Sequence, residues 1–355
     1  MNRRTFLGLA AGPVLYGQTP PPRRFKWRFG PEYPSYVKGG AMARVGDAVV
    51  YAGGMTQPWR ENETAWFLRP ENKDWRPLPP MPKGRAYTHG TAAEDSLVVV
   101  GGRWRGHATA DVFRLRRGGP DDWRWDILPS LAEARATAGV AAVGSKVVAV
   151  GGGDWDRQVG GAFAPRMVSR VEVLNLKQLD RGWRQAADFP GGPCVAAMVA
   201  SIGGKVYHFG GYDLWYEQGQ RRIEIKNTAW VYDVEANRWD ALPALPRLMY
   251  GGACAVLGER YIVLMGGVVE DSDGRREMGV LVDPKRKLVL GQYSTSVLVY
   301  DTVTRGCEWS KTPMPRGHND IRAAVLDEKI YVVGGENADV TLSNTTSDVL
   351  IAEIE

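Results

Sequence analysis

Val49-Val50-Tyr51-Ala52-Gly53-Gly54 is a run of apolar residues closed by a glycine pair, and five similar phrases follow it. They are Leu97–Gly102, Val147–Gly152, Val206–Gly211, Ile262–Gly267 and Ile330–Gly335. A tryptophan precedes each pair at a nearly fixed distance. From Trp27, Trp75, Trp125, Trp183, Trp239 and Trp309 to the next pair is 26, 26, 26, 27, 27 and 25 residues. A period of this kind marks a repeat architecture, because one unit cannot bury its apolar face alone and must stack on neighbours. From each glycine pair to the next tryptophan the interval varies, from 22 residues after Gly53 to 43 after Gly266. Constant spacing marks scaffold, and variable spacing marks loops on one face.

Strands read directly within a unit. In the fourth, Cys194–Ala200 is expected as strand a, Val206–Phe209 as b, Thr228–Val234 as c and Asn237–Leu242 as d. Strand c recurs at Asp111–Leu115, Arg170–Leu176 and Val297–Asp301. Turn residues such as Val143-Gly144-Ser145-Lys146 separate a from b. The last unit has a strand at Asp348–Ile354 and no tryptophan strand after it. The missing piece stands at the other end, where Arg24–Pro31 aligns with Lys73–Pro79. The N-terminal strand is therefore expected to complete the last blade and shut the ring, removing exposed sheet edges.

These residues carry a family resemblance. The glycine pair after an apolar strand, the later Tyr232-Asp233 and Tyr300-Asp301, and a tryptophan followed by Leu78-Pro79 or Leu242-Pro243 resemble kelch repeats. The expectation is an all-β, six-bladed kelch β-propeller over residues 24–355. A WD-type propeller fits less well, since the Gly-His element that should accompany its Trp-Asp does not recur.

Bulk properties limit the function classes. Formal charge is +5 over 355 residues, with basic and acidic residues interspersed and no long basic block, which argues against nucleic acid as a partner. Three cysteines stand singly, without metal-ligand spacing. Asp271-Ser272-Asp273-Gly274 with Glu277 lacks the remaining positions of a calcium loop. No cofactor or metal is expected. Residues 1–17 carry Arg3-Arg4 and an apolar run, Phe6–Tyr16, too short to span a bilayer. They resemble a twin-arginine export signal, with residues 18–23 as a proline-rich spacer, implying a periplasmic or secreted protein.

The b–c loops and the starts of strand a should share one mouth around the axis. Sixteen residues before each glycine pair stand Val37, Arg85, Arg135, Cys194, Tyr250 and His318, with Arg247 and Arg316 near the same level. Equal a–b turns would bring these together, and arginine suits bidentate carboxylate recognition. Tying blades together is the alternative role for Arg85 and Arg135. Trp155, Tyr212, Trp215 and Asn337 follow glycine pairs and supply the aromatic and polar surface a sugar ring needs. Glu217, Glu336 and His318 are the acid–base candidates. Exported bacterial kelch propellers include sialic-acid (N-acetylneuraminate) mutarotases or epimerases, which the chain resembles in blade number and export signal. The expected function is binding of an acidic carbohydrate, with mutarotase or epimerase activity. The alternative is a non-catalytic module binding a glycan or a protein on the same face. The excursion Val268–Thr295 is expected to add a hairpin there.

Overall fold

A computed structural model describes residues 21, 22, 24–119, 122–277, 279–283, 286–338 and 343–355. The expected export signal lies outside the described residues. Six four-stranded antiparallel sheets surround an axis, as the repeat requires. Blade 1 comprises Ala41–Val45, Ala48–Ala52, Ala65–Leu68 and Arg76–Leu78, which serve as its strands a to d. In blade 4 the same order is Met198–Ile202, Lys205–Phe209, Ala229–Asp233 and Arg238–Leu242. Each strand a packs on those of the two neighbouring blades, so the a strands line the centre.

Closure occurs where the sequence places it. Phe25–Phe29 pairs antiparallel with Val349–Ile354, with Phe25 opposite Ile354, Trp27 opposite Ala352 and Phe29 opposite Leu350. Between each pair of adjacent blades lies one apolar cluster, and the cluster joining blade 6 to blade 1 includes Tyr331, Val349, Tyr51 and Trp75. No helix of the described residues is long and apolar enough to cross a membrane.

The glycine pair stitches the ring. The first glycine's N–H donates to the entry of strand c in its own blade, as Gly101 does to Asp111 O. The second donates to the next blade: Gly54 to Arg85 O, Gly102 to Arg135 O, Gly152 to Cys194 O, Gly211 to Met249 O, Gly267 to His318 O and Gly335 to Val37 O. That close approach leaves no space for a side chain. A Cβ on Gly210 would stand 2.1 Å from Met249 O, and the φ of +61° is itself left-handed.

The tryptophans make a second set of ties. Indole N–H groups of Trp75, Trp125, Trp183 and Trp239 donate to the carbonyls of Pro31, Pro79, Pro129 and Ala187 in the preceding blade. Each acceptor lies four residues past that blade's own tryptophan. The Trp…Leu-Pro phrase is therefore one half of a contact completed by the next repeat.

Two expectations change. Strand a of blade 4 starts at Met198 rather than Cys194, because Cys194 and Ala196 are drawn into bonds with neighbouring blades and Val195 into a bridge with Tyr212. The a–b turns are also unequal. Most have two residues, but Leu257 pairs with Tyr261 across three, so Met249 takes the level assigned to Tyr250.

Candidate functional site

The mouth is built from two layers of each blade. Beyond each glycine pair the chain turns into a short hairpin whose first residues pair with the lead into strand a. Lys38 pairs with Met55, Ala86 with Arg103, Ala136 with Gly153, Val195 with Tyr212, and Asn319 with Glu336. One step nearer the axis the backbone closes on itself. Gly39 donates to Asp320 O, Asp320 to Gly251 O, Gly251 to Ala196 O, Ala196 to Thr137 O, and Thr137 to Tyr87 O. Thr88 N–H to Gly39 O completes the circle. The φ values of Gly39, Tyr87, Thr137, Ala196, Gly251 and Asp320 are 62°, 50°, 49°, 54°, 71° and 53°. Four of the six are not glycine, and left-handed backbone at such residues persists only where its surroundings impose it.

This circle explains where the side chains go. The expected ring of Val37, Arg85, Arg135, Cys194 and His318 lies two residues before it and points between blades, each member 2% exposed or less. Arg85 donates to Asp111 Oδ2 at 2.6 Å and to Gly84 O at 2.7 Å, with its guanidinium over Phe113. Arg135 meets Glu172 Oε2 at 2.8 Å, both buried. Arg316 donates to both oxygens of Asp348 at 3.1 and 3.0 Å, and His318 Nε2 contacts the same carboxylate at 3.1 Å. Arg247 lies between Asp271 at 2.7 Å and Glu277 at 2.5 Å. The structure therefore pairs each of these arginines with a carboxylate and does not gather them into one clamp.

At the axis stands a different group. Lys38 Nζ donates to Glu336 Oε2 at 2.5 Å, and both side chains are nearly buried. The ammonium also lies 4.7 Å from the ring centroid of Trp59 and 5.8 Å from that of Tyr87. Burial works against this charge, but Asp320, Tyr87 and Glu336 outweigh it and hold the Lys38 pKa above the ordinary lysine value. Asp320 retains some solvent contact, yet protein surrounds it. That burial raises its pKa above the usual carboxylate value, against the pull of Lys38 and Arg322. Arg322 closes the floor, donating to Gly40 O at 2.6 Å, Ile321 O at 2.7 Å and Thr88 O at 2.9 Å.

Tyr87, Tyr212, Tyr250 and Tyr293 stand around Asp320. Burial first pushes all four phenols above their ordinary pKa; Asp320 comes next for Tyr87 and Tyr212, and adds to Glu270 for Tyr250 and to Glu336 for Tyr293, so they serve as neutral hydroxyls. Tyr212 and Tyr250 meet edge to face at 4.8 Å, as do Tyr87 and Trp155 at 5.2 Å. Of the expected residues, Glu336, Tyr212 and Trp155 therefore meet at the mouth. Asn337 follows Glu336 in its hairpin and pairs with Asn344. Glu217 sits near the tip of the Tyr212–Ile225 hairpin, bound to Arg222 at 3.2 Å, and Trp215 shares that face. The long excursion contains the expected hairpin, Gly279–Asp283 with Arg286–Gly291.

Lys38, Tyr87, Asp320, Tyr293 and Trp59 were not singled out in the sequence. A signal for two of them existed: Tyr87 and Asp320 stand two places after Arg85 and His318. Among the described residues, no group of three or more His, Cys, Asp or Glu side chains is placed to hold a metal ion.

A family model described as N-acetylneuraminate epimerase matches residues 167–272, from before strand c of blade 3 into blade 5. Over 96 residues the chain is 31% identical to an N-acetylneuraminate epimerase of Yersinia enterocolitica, covering 27% of this chain and 24% of the relative. A Haemophilus influenzae protein of the same name is 34% identical over 95 residues, or 26% of this chain and 24% of the relative. A kelch domain-containing protein of Vibrio cholerae is 33% identical over 101 residues, 28% of each chain. The matches thus span about a quarter of the length of these curated relatives. With the repeat, the six closed blades and these matches together, the chain is a kelch-type β-propeller distantly similar to the N-acetylneuraminate epimerases.

Proposed function

We propose that the mouth binds an acidic carbohydrate and interconverts its anomers, as a mutarotase or epimerase of an exported protein. The observation that carries this reading is the pairing of Glu336 with Lys38 beside Asp320, within a ring of neutral tyrosines. Opening a cyclic hemiketal requires a base at the anomeric hydroxyl and an acid at the ring oxygen. The C–O ring bond breaks as the carbonyl forms, and closure on the other face reverses both proton transfers. Glu336 serves as the base. Asp320, whose burial raises its pKa above the usual carboxylate value, serves as the acid. Lys38 keeps Glu336 oriented, and the exposed ring of Trp59 offers an apolar face to a sugar. No step calls for a cofactor. His318 and Asp348 form a buried pair of their own, and Glu217 with Arg222 forms an exposed one near the tip of its hairpin.

Calorimetry with N-acetylneuraminate, followed by NMR of anomer exchange, tests the proposal. Binding with accelerated exchange is expected, and Glu336→Gln should slow exchange about 100-fold or more while the protein stays folded. Binding without acceleration removes the catalytic part. The second reading, a non-catalytic binding module, is favoured by the exposed apolar side chains of that face, Trp59, Phe163, Trp215 and Ile223. Failure of all acidic sugars to bind would favour it, with a protein as partner.

A further inference from the structure

The arginines expected to recognise an anion are neutralised, and Lys38 is held by Glu336. A different cation is left open. Arg221 lies in the hairpin formed by Tyr212–Glu217 and Gln220–Ile225, directly opposite Tyr216. Side chains alternate along a strand, and opposed residues share a face, so Arg221 lies on the face of Tyr212, Leu214 and Tyr216. That face is buried at its base, while Tyr216 and Ile223 toward the tip are exposed. Leu214 is buried against Met167 and Val195, with Tyr212 and Trp155 packed beside it. From there Arg221 acts electrostatically on the phenols of both Tyr212 and Tyr250, which meet edge to face at the mouth. It is exposed, and among the described residues no carboxylate pairs with it. Its neighbour Arg222 is on the opposite face and is taken by Glu217 at 3.2 Å.

We infer that Arg221 is the specificity-determining cation of the mouth, receiving the carboxylate of an acidic monosaccharide whose ring lies below the hairpin. The inference rests on the carbohydrate reading above. It assigns acid recognition to a hairpin of blade 4, across the axis from Trp59 and Lys38 in blade 1. A planar guanidinium free of an internal partner can meet a carboxylate through two parallel hydrogen bonds without first breaking a pair.

The test compares N-acetylneuraminate with its methyl ester, which keeps the ring and removes the charge. The wild-type protein should bind the acid more tightly, and raising the salt should reduce that preference, because the contact is exposed. Arg221→Ala should weaken acid binding about tenfold or more, leave the ester unchanged and abolish the salt dependence. Its melting temperature should not move, since Arg221 has no structural partner. Arg221→Ala binding the acid as wild type does, with the same preference over the ester, overturns the inference while leaving the carbohydrate reading intact. If the wild-type protein binds neither compound, the carbohydrate reading itself fails and this one falls with it.

Discussion

Gly210 and Gly203 both have left-handed backbone, with φ of +61° and +57°, but in different surroundings. A Cβ at Gly203 meets nothing within 4 Å, whereas one at Gly210 would collide with Met249 O at 2.1 Å. Gly203→Ala should therefore lose only the left-handed penalty, on the order of 1 kcal/mol. Gly210→Ala adds a clash with main chain that cannot rotate away, and the loss should be on the order of 3 kcal/mol. Urea denaturation of the two variants distinguishes them. Equal losses would mean that conformation alone, and not approach of the next blade, keeps the pair as glycine. The same distinction separates Arg85 from Arg221. A guanidinium with no exposed surface and a carboxylate at 2.6 Å stabilises a loop, and only one without such a partner is ready for a ligand.

The Tyr-Asp phrase shows how a repeat motif works within one element. Asp301 ends strand c of blade 5, accepts Val303 N–H at 3.0 Å and is held by Arg260 at 2.9 and 2.7 Å. Asp233 does the same in blade 4, accepting Glu235 N–H at 3.1 Å and Ala236 N–H at 2.9 Å. Each carboxylate closes the c–d turn. Hydrogen bonds from Arg260 hold Asp301 at about 2, below the ordinary 3.8. The folded value is the lower one, so the pair's contribution to stability is full above the ordinary pKa and lost as pH falls toward about 2. Asp301→Asn should lower stability at neutral pH and flatten the acid limb of the stability curve between those values. Thermal melts across pH 2 to 7 provide the check, and an unchanged acid limb would show that the pair contributes nothing. The tryptophan motif is likewise an element-level contact, but its acceptor belongs to the preceding blade.

Closure of the ring is a property of the whole molecule. Phe25–Phe29 covers the edge of Val349–Ile354, and Phe25 is 2% exposed within the blade 5–6 cluster. Removing residues 1–30 would leave that edge unpaired and template self-association. The expected outcome is a lower melting temperature and oligomers in size-exclusion chromatography, both reversed by a peptide spanning Arg24–Pro31. A monomer with an unchanged melt would show that the ring does not depend on this strand. The circle of left-handed residues at the axis also spans the molecule, because each hydrogen bond joins one blade to the next. It sets Asp320 among tyrosines drawn from three blades, Tyr87 from blade 2, Tyr212 from blade 4, and Tyr250 and Tyr293 from blade 5.

Blade number, the strand that closes the ring, and the loops that form its mouth were legible in the chain. Six phrases in phase require six equivalent units, and a unit lacking its tryptophan strand must find one at the other terminus. Glu336 and Tyr212 were also legible, since a residue just past a glycine pair is carried to the mouth by strand b. Orientation was not. Arg85 and Arg135 occupy the anticipated level but turn between blades, because the main chain reverses into its left-handed circle two residues later. Their partners, Asp111 and Glu172, come from strand c beyond a loop of variable length, so local spacing cannot reveal the pairing. Repeat periodicity fixes where backbone goes, since every unit obeys the same hydrogen-bonding demands. Which charges remain open to a ligand depends on neighbours that only the assembled ring brings together.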